Sequence, residues 1–281
     1  MLYELHLQGI DGVDDRWEWE SASRRGPAAA GATVRRRYPR APGDRVAAAR
    51  GRFGDDVVAA LWEMNAPTRE PGLSDFMART RCSSSSANCS SPVAETSCVR
   101  LTSTPSASPH GRGPKAALLE IQIDEYGQGR LDRMHSRLFA TTMRELGRSD
   151  AYAHYLDAVS PRDVGDVECA VLFRGAPPHL GALVGHLCAI ETTSALPSKK
   201  YSAGLHARYG SAATLFFDEH VRRIPSTSRS RSATPRGRSG ERSAELLDDV
   251  LLGAAACLAL DDLLGEHVTD CWSRGGARCG S

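Results

Sequence analysis

The chain has 281 residues and a formal net charge of +1, with 35 Lys and Arg against 34 Asp and Glu. That length allows one large domain or two small ones. The near-neutral balance gives no strong field for nucleic acid or an anionic membrane. No apolar run is long enough to span a bilayer, and Met1-Leu2-Tyr3-Glu4 does not open a secretory signal.

Residues 2–20 begin as an apolar helix and end in an acidic, Trp-bearing turn. Residues 23–50 are rich in Ser, Arg, Gly, Pro and Ala, and no helical or strand period survives there. DDVVAALWEM in the 55–80 stretch predicts a helix, and PGLSDFMAR predicts a turn followed by another. Residues 82–113 are again aperiodic, and a structureless loop of that length is uncommon inside a compact domain. The eight cysteines do not force disulfides. Cys169, Cys188 and Cys257 sit in apolar helical patterns, and Cys82 and Cys89 have no partners at zinc-finger spacing. This pattern predicts a reduced, cytoplasmic protein.

The stretch from Lys115 to Met143 organises the rest. It sets Glu120, Asp124, Glu125 and His135 in an apolar helical frame and interrupts that frame at Gly127 and Gly129. Carboxylates among so much apolar surface are costly unless paired, and an iron ion would be one such partner. Glu125 and His135 are ten positions apart, whereas an unbroken helix superposes side chains at about seven or eleven. The glycines supply the re-phasing turn. The same residues also read as a helical hairpin with solvated carboxylates and a partly exposed histidine.

Pro177-Pro178 opens a helix over HLGALVGHLCAIETTSAL that is expected to stop before Pro197. Gly181 and Gly185, one turn apart, would let another helix approach closely, and Glu191 is a candidate buried acid in the same apolar frame. SAATLFFDEHV makes the next helix and carries His220. Residues 222–243 read as a basic linker. A long helix with Leu247, Val250, Leu251, Ala254, Cys257 and Leu258 on its apolar stripe closes the chain. His6, His154, His179, His186, His206 and His267 are expected to be ordinary surface or core histidines. With no strand alternation anywhere, the architecture is all-α, a single helical-bundle domain over 1–281.

These segments resemble the iron-containing redox enzyme family, the haem-oxygenase-like diiron oxidases and oxygenases. The resemblance rests on YELHLQGIDGVDDRWEWE, EIQIDEYGQGRLDRMH, HLCAIETTS, FFDEHV and LLGAAACLALDDLLGEHV, with EIQIDEYG followed by MH as the specific part. It implies a haem-oxygenase-like bundle, truncated here at its N-terminus, with two non-haem irons between core helices and dioxygen activated against a small organic substrate. By position it implies Glu125, His135, Glu191 and His220 as metal ligands. Ile224 and Thr227 stand where the family pattern has an Asp and a second His. A further Glu and His of the pattern cannot be placed in 82–113, so iron binding is expected to be partial or absent. Nucleic acid and membrane are not expected partners, and a homodimer stays open.

The genetic code offers one cause for these gaps. Codons can be chosen for Arg222 to Ser228 that, read with one added G in front, restore Asp at 224 and His at 227. The segment from Thr102 to Ser108 can be shifted the same way into Asp-Glu-His-Thr-Phe-Gly-Val. The three patches at 23–50, 82–113 and 222–243 therefore read as non-native, out-of-frame or disordered segments. The alternatives to a dioxygen-activating iron oxidoreductase, active or decayed, are a metal-free helical scaffold and a haem-binding bundle with a lone axial histidine.

Overall fold

A computed structural model describes residues 41–67, 72–79, 121–151, 154–155, 169, 180–222 and 241–273. All regular structure among these residues is helical. We number the helices α1 (Ala41–Phe53), α2 (Val57–Met64), α3 (Leu73–Arg79), α4 (121–125, the described end of a helix), α5 (His135–Glu145), α6 (Leu180–Thr193), α7 (Ala195–Tyr209), α8 (Leu215–Arg222) and α9 (Glu241–Ser273). Short 3-10 turns cover Gly127–Gly129, Leu131–Arg133 and Ser211–Thr214. No helix among the described residues is long and apolar enough to cross a membrane. The expected helix over residues 2–20 lies outside the described residues, as do 82–113 and most of 222–243.

The long helix α9 is the axis of the bundle. Its apolar stripe is buried on several sides, with Leu251, Ala254, Ala255, Cys257 and Val268 fully covered. On one side α1 and α2 bring Ala49, Val57 and Ala60 against Leu251. On another, α6 crosses α9 without the usual layer of side chains between them. A Cβ at Gly185 would lie 1.8 Å from the carbonyl oxygen of Val250, and one at Gly253 would lie 1.8 Å from that of Ala182. Gly181 meets the Leu246 carbonyl and the Asp249 side chain in the same way. The close approach expected of Gly181 and Gly185 is thus realised, with Gly253 as its counterpart on α9.

Three expectations need correction. The segment 23–50 is not aperiodic throughout: 41–50 lies in α1, where an Asp44-bearing first turn and Arg50 and Arg52 near the end suit the helix dipole. Arg45 pairs with Asp262, and Arg50 Nε lies 2.9 Å from Asp248, so α1 docks through charges that a hydrophobic period does not register. The helix of α6 stops at Thr193 rather than just before Pro197. Pro197 falls in the first turn of α7, where a missing N–H costs nothing. At the far end, 241–243 belong to α9 rather than to a linker.

The sulfur chemistry follows the packing. Cys169, Cys188 and Cys257 carry free thiols, and Cys169 sits in an apolar group with Ala182, Leu183 and Leu187. Burial pushes the Cys169 thiol from 9.0 up to about 12, and burial together with the Glu191 charge pushes Cys188 up to about 11. The folded chain keeps these protons at pH values where the unfolded chain has lost them. Their contribution is therefore intact below about pH 9 and is lost as pH rises toward the folded values. The urea midpoint should fall as pH rises from about 9 toward about 11, and Cys169→Ala should flatten that fall.

Candidate metal centre

The turn between α4 and α5 does what the sequence spacing requires. Gly127, Gln128 and Gly129 have φ of 63, 57 and 82°, three successive residues in the left-handed region. At Gly127 the freedom is needed twice, because a Cβ there would also lie 2.5 Å from the Arg133 carbonyl carbon. The chain doubles back through the two 3-10 turns and re-enters a helix at His135. Gln128 ties the loop to α4 by donating from Nε2 to Asp124 Oδ1 at 3.2 Å.

This returns His135 to Glu125. His135 Nδ1 lies 2.9 Å from Glu125 Oε2, and the two side chains are 1% and 9% exposed. The hairpin with solvated carboxylates does not hold for this pair. A carboxylate at Nδ1 fixes the imidazole orientation and leaves the lone pair on Nε2 in the neutral ring. From α8, His220 brings its ring to 4.7 Å from that of His135, centroid to centroid. His220 Nδ1 lies 2.9 Å from the Phe216 carbonyl oxygen one turn earlier, which favours the same tautomer in the second ring. Phe216 packs on both imidazoles at 6.1 and 4.6 Å and on Phe139 at 5.0 Å, so the pair sits in an aromatic wall. Met143 and Phe217 complete the buried group behind it.

Three of the four residues expected as ligands therefore meet: Glu125, His135 and His220. Glu191 stands on α6, intermediate in exposure and near enough to Cys188 to act on its thiol. The donor set suits non-haem iron in kind, with imidazole nitrogen and carboxylate oxygen in a secluded setting. Its present geometry is that of groups paired with one another. Among the described residues, no group of three or more His, Cys, Asp and Glu side chains is arranged to hold a metal ion. His186 is fully buried on α6, in keeping with a core histidine.

Sequence reasoning missed the polar residues that tie together the helices carrying the imidazoles. Thr142 is 1% exposed and donates from Oγ1 to the Ala213 carbonyl oxygen at 3.0 Å. Asp218 accepts from Ser202 at 2.6 Å and from Thr214 at 2.7 Å. The available signal was spacing: Thr142 lies two helical turns after His135, and Thr214 and Asp218 are one turn apart.

Comparison with known proteins agrees with the residues. No curated protein matches the chain. The profile of the iron-containing redox enzymes matches residues 97–226, a segment that holds Glu125, His135, Glu191 and His220. Over residues 97–226, a little under half of its length, the chain is similar to the iron-containing redox enzymes.

Proposed function

We propose that this chain is a non-haem iron oxidoreductase of the dioxygen-activating, diiron type, acting on a small organic substrate, with its metal binding impaired in the sequence as written. The observation that carries this reading is the buried Glu125–His135 pair set against His220 inside the matched segment. His135 and His220 would offer nitrogen, and Glu125 and Glu191 would offer carboxylate oxygen. Iron so held supplies the one-electron chemistry with dioxygen that side chains lack. The protein's share is orientation and seclusion. Phe139 and Phe216 pack beside the imidazoles, the Phe216 carbonyl at Nδ1 orients the His220 ring, and the Glu125 carboxylate 2.9 Å from Nδ1 pairs with the His135 ring.

The matched segment begins at 97 and ends at 226, within the patches 82–113 and 222–243. That those patches are out of frame, and that the second metal has lost its donors, is part of the proposal and rests on the codon reading of the sequence. The first patch would then stop before Ala41, since α1 is packed on α9. A second reading is a metal-free scaffold. It is favoured by the mutual pairing of Glu125 with His135.

Anaerobic loading with ferrous iron separates the two readings. The chain as written should hold less than one tightly bound iron and consume little dioxygen. A version with 82–113 and 222–240 read in the other frame should hold two and consume dioxygen readily, since ligand count sets affinity. Two tightly held irons in the chain as written would overturn the impairment. No iron in either version would leave the scaffold.

A further inference from the structure

We infer that Asp218, with Thr142 and Thr214, forms a positioning network that holds His220 against His135, a role that rests on both imidazoles serving the proposed centre. Helix α8 is only eight residues long. A helix of that length has little stability of its own, so its position is set by what it touches. Asp218 is its anchor. One carboxylate oxygen accepts from the Ser202 hydroxyl of α7 at 2.6 Å, and the other accepts from the Thr214 hydroxyl at 2.7 Å. Both oxygens are thus engaged, and they bind α8 to α7 and to the turn before it.

The second anchor comes from α5. Thr142 lies two turns beyond His135 on the same face and donates to the carbonyl of Ala213, the residue before Thr214. The helix that begins with His135 therefore also grips the turn that launches α8. His220 follows Asp218 by two positions, about 200° around the axis. The clamp thus draws one side of α8 onto α7 while the other side presents His220 to His135, ring to ring at 4.7 Å. Phe216 and Phe217 fill the space between, but rings at such spacing can slide. Directed hydrogen bonds at the Ala213 carbonyl and the Thr214 hydroxyl, where the turn passes into α8, fix where the imidazole stops.

The test uses the full chain, with two readouts: through-space NMR contacts between the ring protons of His135 and His220 in metal-free protein, and affinity for cobalt(II) alone. Asp218→Ala removes both acceptors, and Thr142→Val removes the donor at little cost in shape. Each should keep its helix content, lose most of the ring-to-ring contact and weaken cobalt binding by roughly ten-fold or more. Asp218→Asn should rescue both readouts. Its oxygen can accept from Ser202, and its amide can donate to Thr214 once the Thr214 proton turns to the Ser211 carbonyl, 3.0 Å away. That rescue separates a positioning residue from a carboxylate that binds metal. Asp75→Ala breaks the 2.7 Å ion pair to Lys200 on the same helix α7 and should leave both readouts unchanged. If Asp218→Ala does not fold, Ser202→Ala serves in its place. Unchanged ring contacts in folded Asp218→Ala and Thr142→Val, or an equal loss in Asp75→Ala, would overturn the inference. A wild-type chain that ignores cobalt while its ring contacts respond to these substitutions would uphold the positioning network and refute the metal centre.

Discussion

A single methyl group at Gly185 or Gly253 is expected to cost about 3 kcal/mol or more, a large fraction of the stability of a typical domain. The reason is backbone against backbone. The new Cβ would lie 1.8 Å from a carbonyl oxygen of the opposite helix in either case, and an alanine has no rotamer with which to escape. Helix propensity works the other way, since Gly→Ala in a helix interior ordinarily gains up to about 1 kcal/mol. Here the steric term wins, because relieving it means pushing α6 and α9 apart along a buried seam that includes Ala182, Ala189 and Ala254. Gly265 is the internal control. It lies in the same helix α9, and the nearest atom to its added Cβ is Leu73 Cβ at 4.0 Å. Gly265→Ala should therefore stabilise by up to about 1 kcal/mol. Urea unfolding followed by circular dichroism decides the matter. Equal midpoints for Gly185→Ala and Gly265→Ala would mean that the crossing is looser than described.

Glu125→Leu should cost about 3 kcal/mol in metal-free protein, because it strips a buried imidazole of its charged partner. The 2.9 Å contact to His135 lies almost wholly out of water, which is where losing one partner is most expensive. Removing both groups is a different experiment. Glu125→Leu combined with His135→Phe removes both members of the pair and adds apolar surface beside Phe216 and Phe139, so the double variant should recover much of the loss. Thermal unfolding in chelator, with all four members of the cycle, gives the coupling. A single-variant cost under about 1 kcal/mol would place the pair effectively in water.

What was legible in the sequence, and what was not, divides along physical lines. The interruption between Glu125 and His135 could be read because two glycines in an apolar frame announce a turn, and a ten-residue gap demands one. Gly181 and Gly185 could be read for the same reason, since spacing of one turn puts both on one face. Helix α1 could not. Its apolar positions are mostly alanine, and Arg45 and Arg50 hold it to Asp262 and Asp248, residues some two hundred positions away. Helix α7 was equally silent, with Pro197 and Gly204 inside it and only Tyr201 and Leu205 to pack beneath α8. Charge and hydroxyl partners hold it: Lys200 to Asp75, Ser202 to Asp218. Such partners lie far apart in the chain, and no local period encodes them. The meeting of Glu125, His135 and His220 was legible only as donor types and spacing, and its aromatic wall came from the fold.

The role of α9 as common axis also fixes an order of events during synthesis. The helix is 33 residues long, about 50 Å at the usual helical rise, and it comes near the end of the chain. Helices α1 and α2, near the beginning, cover Ala49, Val57 and Ala60 with its Leu251. The imidazole neighbourhood closes within residues 125 to 220 and can assemble while translation continues. The first helices cannot. As they leave the ribosome they expose a face whose cover has not yet been made, and they must stay soluble until the last stretch arrives. On α1 that face is mostly alanine with arginine beside it, whereas α2 brings Val57, Leu61 and Met64 and is the stretch most in need of cover during the wait.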